Sequence, residues 1–282
     1  MPSDPSIRRF TRVLTWYDMT ASLPMYASNL AGTAALWRYL AGKLGDAGVR
    51  DAPTELTWPD DPHAHWKDPE LFLSQACGYP LVTELEHHVR VVGTFRYNAA
   101  GCSGALCRSV LIARTGDSPH DLRDFRGRTV VYNSTDSQSG YNSLRALVAP
   151  MSINGQFFGD QHESGSHRKS VEMVRDGLAD IAAIDCVSFA GFSRCAPEVT
   201  QGIRVIGYSE SYPGLPLITA GSTSDATLAT LRSTLSAAVR DPALSPLLGD
   251  LFIEGFEPLD FQDYQTCADM RHYAMGLGCI SL

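Results

Sequence analysis

Apolar and polar positions alternate along the chain in short blocks whose period changes between about two and about 3.6 residues. Apolar runs typical of strands occur at residues 12–16, 55–58, 71–75, 89–95, 110–114, 129–132, 181–184, 203–208 and 217–220. Apolar positions at helical spacing lie between them, at 30–44, 141–148, 171–178, 228–239, 247–253 and 261–275. Strands that alternate with helices predict an α/β protein with mixed, mostly parallel sheets.

The order of these elements also predicts how the chain divides. Strands near 108–114 and 203–209 flank a middle section that has its own strands and helices. We therefore expect two lobes joined by a two-strand hinge. Residues 1–108 and 210–282 form the first lobe, and residues 109–209 form a second lobe inserted into it. A cleft between two such lobes is the default ligand site.

Composition and charge limit the kinds of partner that the protein is expected to bind. The chain carries 23 Lys and Arg against 31 Asp and Glu, which gives a net charge of -8. Its Lys and Arg residues form no extended cluster in the sequence. This argues against nucleic acid as a partner. No apolar run reaches the roughly 18 residues that a membrane-spanning helix needs. Residues 1–12 lack the apolar stretch of a secretory signal, which predicts a periplasmic protein if a signal was trimmed and a cytoplasmic one if Met1 is the native start.

The seven cysteines form no Cys-x-x-Cys pair. Their pattern therefore predicts no structural zinc site and mostly reduced, partly buried thiols. The spacings 102/107, 186/195 and 267/279 would also permit local disulfides in an oxidising compartment.

A polar stretch after the 129–132 strand offers a candidate anion site. It contains Asp136, Ser137, Gln138, Ser139 and Gly140 and leads into a helical pattern that begins with Tyr141. Free N–H groups at a helix start bind anions, serine hydroxyls add donors, and glycine lets a ligand approach the backbone. The same residue types are also common as ordinary helix caps.

A second strand–helix unit repeats this arrangement at residues 164–167, where His167 would lie in the first helical turn. Asp185 ends the apolar 181–184 strand, where a carboxylate could bind a ligand's amino or hydroxyl group or cap the next helix. Ligands bind beyond the carboxyl ends of parallel strands, so these turns could face one crevice. A lone histidine is otherwise commonly a surface residue.

Signatures of enzymes and cofactors are missing from the sequence. It has no Gly-x-x-x-x-Gly-Lys loop, no Gly-x-Gly-x-x-Gly fingerprint and no Gly-x-Ser-x-Gly elbow. His162 and His167 do not share a helix face, which argues against a paired metal site. We therefore expect no catalytic residues, no cofactor and no metal.

Four stretches, at residues 75–81, 133–141, 164–167 and 183–185, resemble the phosphate/phosphonate-binding branch of ABC-importer substrate-binding proteins. Gln138 departs from the Ser or Thr that the family usually has at that position. The resemblance implies a type II periplasmic-binding-protein fold whose lobes close on a small oxyanion. It further implies a monomer, with an ABC permease as a partner.

The resemblance also implies roles for individual residues. Ser137, Gln138, Ser139 and the Gly140 backbone would hold the phosphoryl group, with Tyr141 beside them. His167 and Asp185 would read the other end of the ligand. The first lobe would contribute Tyr17, Asp18 and Tyr79 as a wall of the site.

Two alternatives from other functional classes remain open at this point, because one fold hosts many functions. One is a cytoplasmic enzyme of the same fold that acts on a small carboxylate or a phosphorylated metabolite. The other is a ligand-sensing module that signals closure to a protein partner.

Overall fold

A computed structural model describes residues 19–118 and 121–282 of the chain. Its strands, in chain order, are β1 Thr20–Ser22, β2 Leu71–Gln75, β3 Val89–Tyr97, β4 Leu106–Cys107, β5 Ser109–Arg114, β6 Val130–Tyr132, β7 Gln161–Glu163, β8 Ile181–Asp185, β9 Ile203–Tyr208, β10 Tyr212–Pro213, β11 Leu217–Ala220 and β12 Ile253–Glu257. Its α-helices are α1 Leu30–Asp46, α2 Pro62–Trp66, α3 Gly78–Glu84, α4 Ser143–Val148, α5 His167–Arg175, α6 Cys186–Cys195, α7 Pro197–Thr200, α8 Asp225–Ala238, α9 Ser245–Asp250 and α10 Gln265–Gly276.

The first sheet has the strand order β1-β2-β11-β3-β12. Helices α1 and α8 contact each other beside it. The apolar positions of α1 recur every three or four residues, so one face of the helix is buried. Trp37 and Leu40 from that face are each 1% exposed and belong to the same core cluster as Leu73 and Leu231.

The second sheet has the order β7-β6-β8-β5-β9. Strand β6 runs parallel to both β7 and β8, and the loops after these three strands lead into helices. Parallel neighbours place the carboxyl ends of β6, β7 and β8 along one edge of the sheet. The loops that leave this edge position the candidate ligand site.

The chain crosses between the sheets twice. It leaves the first sheet through β4 and returns through β10, and these two short strands pair antiparallel, with Cys107 opposite Tyr212. Strands β5 and β9 continue the pairing in the second sheet. Residues 108 and 209 lie at these crossings, which supports the predicted boundaries of the lobes. The division into 1–108 with 210–282, and 109–209, stays a prediction.

The predicted α/β class with mixed sheets is confirmed, but the prediction of mostly parallel sheets is wrong. Among the pairs described for the first sheet, only β1 with β2 is parallel. Strand β11 comes back from the crossing and runs antiparallel to both neighbours, as β5 does in the second sheet. A strand that enters from the other lobe is not the product of a helical crossover, so it need not share the direction of its neighbours.

Several other elements differ between the prediction from the sequence and the structure. Residues 55–58 form no strand, and Glu55 is instead exposed and paired with Arg38. Strand β7 is absent from the prediction because its three residues are polar and it lies at the sheet edge. Ile253 begins a strand rather than ending a helix. The predicted strand at 12–16 lies outside the described residues.

Within those described ranges, no helix combines the length and the apolar character that crossing a membrane requires.

Candidate functional site

A cavity of about 450 Å³ lies between the two sheets, and we call it the interlobe cavity. Its walls come from both lobes. The lining residues are Pro24, Met25, Tyr26, Pro62, His63, Trp66, Cys77, Pro80 and Leu215 on the side of the first sheet, and Asn133, Ser134, Asp136, Ser137, Ser139, Gly165, Ser166, His167, Asp185 and Ser188 on the side of the second. A cavity of this size accommodates a small organic ligand.

Three loop segments supply the second-sheet wall. They follow β6, β7 and β8, and each leads into a helical turn or helix. Ser137 caps a π-helical turn at Gln138–Asn142, Ser166 caps α5, and Asp185 caps α6. The predicted convergence of these turns on one crevice therefore has a simple cause, since the parallel strands end at the same edge.

Ser137, Ser139 and His167 lie on this wall, and each takes part in a hydrogen bond. Ser139 Oγ lies 2.9 Å from His167 Nε2, although the two residues are 28 positions apart in the sequence. The Oγ of Ser137 accepts the backbone N–H of Gly140 at 3.0 Å. That hydroxyl therefore keeps its own proton for donation to a ligand.

Burial keeps His167 uncharged. Desolvation lowers the pKa of His167 to about 4. Its Nδ1 is buried and finds no hydrogen-bond partner among the described residues. A neutral imidazole with its proton on Nε2 donates to Ser139 Oγ and leaves the serine proton for an oxyanion. The wall thus offers neutral hydrogen-bond donors rather than a fixed positive charge.

Gly140 has a different role from the predicted one. Its N–H is already used by Ser137, so it is not available to a phosphoryl group. A Cβ at this position would lie 1.8 Å from Asn133 Oδ1, far inside contact distance. The absent side chain therefore makes room for Asn133, not for a ligand.

Asp185 lines the cavity and caps a helix at once. Its Oδ1 accepts the backbone N–H of Ser188 at 2.8 Å, and the hydroxyl of Tyr26 donates to its Oδ2 at 3.4 Å. Burial raises the pKa of Asp185 to about 7, because desolvation penalises the charged form. The structure confirms that Asp185 caps a helix, and its role toward a ligand stays a prediction.

The other predicted residues that the structure describes do not line the cavity. The Gln138 side chain turns away, with Nε2 donating to Met270 Sδ at 3.2 Å and Oε1 accepting from Asn142 at 2.8 Å. Tyr141 packs edge-on against a neighbouring tyrosine in the core of the second sheet. Tyr79 is half-buried in the first turn of α3. Tyr17 and Asp18 lie outside the described residues.

His63, which the sequence analysis did not assign to the site, contacts the other lobe across the cavity. His63 in α2 places Nε2 2.6 Å from Asp136 Oδ2, and its Nδ1 lies 3.4 Å from Glu84 Oε2. The local sequence around His63 indicates only the start of a helix, because Asp61 caps α2 and Pro62 is its first residue. The partner of His63 depends on how the lobes meet, which no local pattern reports.

The electrostatic character of the cavity follows from these residues. Its described lining contains Asp136, Asp185, His63 and His167 but no Lys or Arg. An anion would be held there by the hydroxyl groups of Ser137 and Ser139 and by N–H groups at the helix starts. The two carboxylates complement a ligand that also carries a positive or hydrogen-bond-donating group.

Two lobes that are each built on a mixed sheet, with two chain crossings and a ligand-sized cavity between them, define the class of periplasmic binding proteins of type II. Residues 70–264 match the protein-family model described as the ABC transporter, phosphonate, periplasmic substrate-binding protein. The chain belongs to this family of phosphonate-binding importer components. The family consists of substrate-binding proteins, which excludes the enzyme alternative and confirms the resemblance seen in the sequence.

Solved structures share the fold at low sequence identity. A binding protein component of an ABC phosphonate transporter from Pseudomonas aeruginosa is 16% identical, with a TM-score of 0.72 over 92% of this chain and 88% of that one. PhnD1 from Prochlorococcus marinus, in complex with methylphosphonate, is 12% identical, with a TM-score of 0.71 over 90% and 97%. A Xanthomonas citri protein bound to chloride is 16% identical, with a TM-score of 0.68 over 92% and 98%.

Proposed function

We propose that this protein binds a small phosphonate, or a related phosphorus oxyanion, in the interlobe cavity and delivers it to an ABC permease. The observation that carries the proposal is the convergence of Ser137, Ser139 and His167 at the carboxyl ends of neighbouring parallel strands. Membership of a phosphonate-binding family supports it, as does the methylphosphonate complex of PhnD1.

The oxyanion end of the ligand would lie against the second-sheet wall. Ser137 and Ser139 donate their hydroxyl protons there. The nine-residue helix α5 begins at His167 and directs its positive dipole end toward the same wall. Each dipole contact contributes about 0.3–1 kcal/mol when exposed and more when buried, so several donors together account for useful affinity.

The other end of the ligand would face Asp185 and Asp136. A charged amine or a hydroxyl group could donate to these carboxylates. The aromatic wall is provided by Tyr26 and Trp66, in the role that the sequence suggests for Tyr17 and Tyr79. We therefore favour an aminoalkylphosphonate over methylphosphonate as the better ligand.

Transport would use closure of the lobes around the bound ligand. The contact between His63 and Asp136 joins the two lobes directly beside the cavity. A permease would then recognise the closed form of a monomeric binding protein. The periplasm is the compartment of the family, and we place the function of this chain there.

A thermal-shift screen of the purified chain tests the proposal. The panel contains phosphate, phosphite, methylphosphonate, 2-aminoethylphosphonate, a sulfonate and small carboxylates. A ligand that binds only the folded state at a hundredfold excess over its Kd adds about 2.7 kcal/mol of stability. We expect a shift of several degrees with the phosphonates. No shift with any phosphorus oxyanion, or a shift with carboxylates alone, would contradict the proposal.

A double variant locates the binding. Ser139→Ala combined with His167→Ala should fold and lose the ligand-induced shift. Ser233→Ala combined with His88→Ala is the matched control, because both side chains are exposed and neither lines the interlobe cavity. A full shift in the first double variant would remove the proposed site.

A further inference from the structure

We propose that Cys102, Cys107 and Cys186 bind one thiophilic metal ion of the Cu(I) and Zn(II) class, at a site separate from the interlobe cavity. We call these three residues the thiol cluster. The Sγ of Cys102 lies 3.3 Å from that of Cys186 and 3.7 Å from that of Cys107. All three sulfur atoms lie within 4.8 Å of one another.

The spacing of the sulfur atoms fits a shared metal. A metal ion binds thiolate at about 2.3 Å, so ligands at trigonal or tetrahedral angles lie about 3.8–4.0 Å apart. The two distances from the Cys102 sulfur lie within about 0.5 Å of this range. The backbone thus already holds the three sulfurs near the corners of a coordination site, and little rearrangement is needed to place an ion between them.

The surroundings of the thiol cluster give an ion access to it. Cys107 and Cys186 are 3% and 1% exposed, whereas Cys102 is half-buried and lines an opening next to Arg108 and Tyr208. An ion could enter through this opening. Cys186 is the first residue of the ten-residue helix α6, so the positive end of the helix dipole lies beside the sulfur that would coordinate the ion. Each thiol releases its proton to solvent as it coordinates the ion.

The donor set points to a soft ion. Among the described residues, no histidine or carboxylate joins the three sulfurs in the group. Thiolate ligands select Cu(I) and Zn(II) over harder cations. Three sulfurs alone can hold Cu(I), while Zn(II) would complete its four ligands with a water molecule from the opening beside Cys102.

The position of the thiol cluster links it to the lobe junction. Cys107 lies in β4, the strand that carries the chain out of the first sheet, and Cys186 begins a helix of the second lobe. A bound ion would therefore tie the crossing to the second lobe. Local spacing alone does not reveal this cluster, because Cys186 is 79 residues beyond Cys107.

Metal titrations of the full chain test this inference. The chain is reduced, freed of reductant under anaerobic conditions, and titrated with Zn(II) or Cu(I) against a chromophoric chelator for each ion. We expect one ion per chain. Cys102→Ser should weaken binding of the ion at least tenfold. Cys195→Ser, which removes an exposed thiol at the far end of the helix that Cys186 begins, should leave the affinity unchanged.

Measurements on the unaltered chain accompany the variants, because serine in place of the buried Cys107 or Cys186 could impair folding. Co(II) should give an intense sulfur-to-metal charge-transfer band, and Zn(II) or Cu(I) should protect Cys102 from alkylation. No binding, unprotected Cys102, or unchanged affinity in Cys102→Ser would overturn the inference. So would a disulfide between two of the three cysteines that survives mild reductant. None of these measurements uses a phosphonate, so they are independent of the proposed function.

Discussion

At the scale of single residues, the site depends on how tightly Asn133, Gly140 and His167 pack together. The position that a Cβ of residue 140 would occupy is 1.8 Å from Asn133 Oδ1 and 3.3 Å from His167 Cε1. Any side chain at 140 would push the imidazole away from Ser139 or displace the asparagine. The geometry of the donors therefore depends on a residue that donates nothing to the ligand.

We predict that Gly140→Ala destabilises the protein and weakens ligand binding. Overpacking of this kind costs about 1–3 kcal/mol. Thermal melting and ligand titration measure both effects. Gly42→Ala is the matched control, since Gly42 lies exposed in α1 with no atom near its would-be Cβ, and it should be neutral or slightly stabilising. Equal melting temperatures for the two variants would contradict the packing argument.

The half-buried His167, whose Nδ1 is buried, predicts how stability depends on pH. Its pKa of about 4 in the folded protein lies below the usual value of 6.5 in an unfolded chain. The unfolded state therefore binds more protons between these values, and the stability contributed by neutral His167 is complete above pH 6.5 and lost as the pH falls toward 4. The loss should be about 1–3 kcal/mol.

Denaturant unfolding of the unaltered chain and of His167→Gln across this pH range measures the effect. The difference in free energy of unfolding between the two should change with pH only where His167 titrates. A difference that stays constant from pH 7 to pH 4 would show that burial does not hold the imidazole neutral.

At the scale of elements, the site is built largely from residues that cap the beginnings of helical segments. Ser137, Ser166 and Asp185 each accept a backbone N–H at the beginning of a helical segment, and each also lines the cavity. The residues that end the strands and begin the helices are thus the same residues that meet the ligand. Capping and binding can be separated experimentally only by substitutions that preserve the cap.

Asp185→Asn makes this separation. Asparagine caps helices about as well as aspartate, so the melting temperature should stay close to that of the unaltered chain, whereas Asp185→Ala should lose about 1 kcal/mol. Because the asparagine side chain lacks the negative charge, we expect 2-aminoethylphosphonate to bind at least tenfold more weakly while methylphosphonate is little affected. Calorimetric titration of both ligands measures this. An equal loss for the two ligands would contradict the role given to the carboxylate.

The elements also show how far the sequence predicts the site. The apolar runs of β6 and β8 locate the strand ends, and Ser137, Ser139, His167 and Asp185 lie at the cavity because strand ends share an edge. The side chain of Gln138 could not be placed, since direction within the π-helical turn depends on Met270 of a distant helix. His63 and the thiol cluster are contacts between segments far apart in sequence, which local periodicity does not encode.

At the scale of the whole molecule, the contact between His63 and Asp136 is a link between the lobes beside the cavity. Its side chains are about one third exposed, at 32% and 37%. A pair exposed to this degree contributes at most about 1 kcal/mol, since solvent screens the charges. A contribution of that size is enough to shift the balance between open and closed forms, but not to fix the protein closed.

We predict that His63→Ala makes the ligand-free protein more open and weakens binding about two- to fivefold. Small-angle scattering should show a larger radius of gyration without ligand, and titration should show the lower affinity. Lys67→Ala is the control, because Lys67 pairs with Glu84 on the same lobe and does not cross the cavity. An unchanged radius in His63→Ala would argue against a role in closure.

The most direct test of phosphonate binding in the interlobe cavity is a calorimetric titration of 2-aminoethylphosphonate into the unaltered chain and into Ser139→Ala/His167→Ala. We expect one binding site per chain in the former and at least a hundredfold weaker binding in the latter, with the fold retained by circular dichroism. Equal affinity in the two proteins, or no binding of any phosphorus oxyanion to the unaltered chain, would contradict the account.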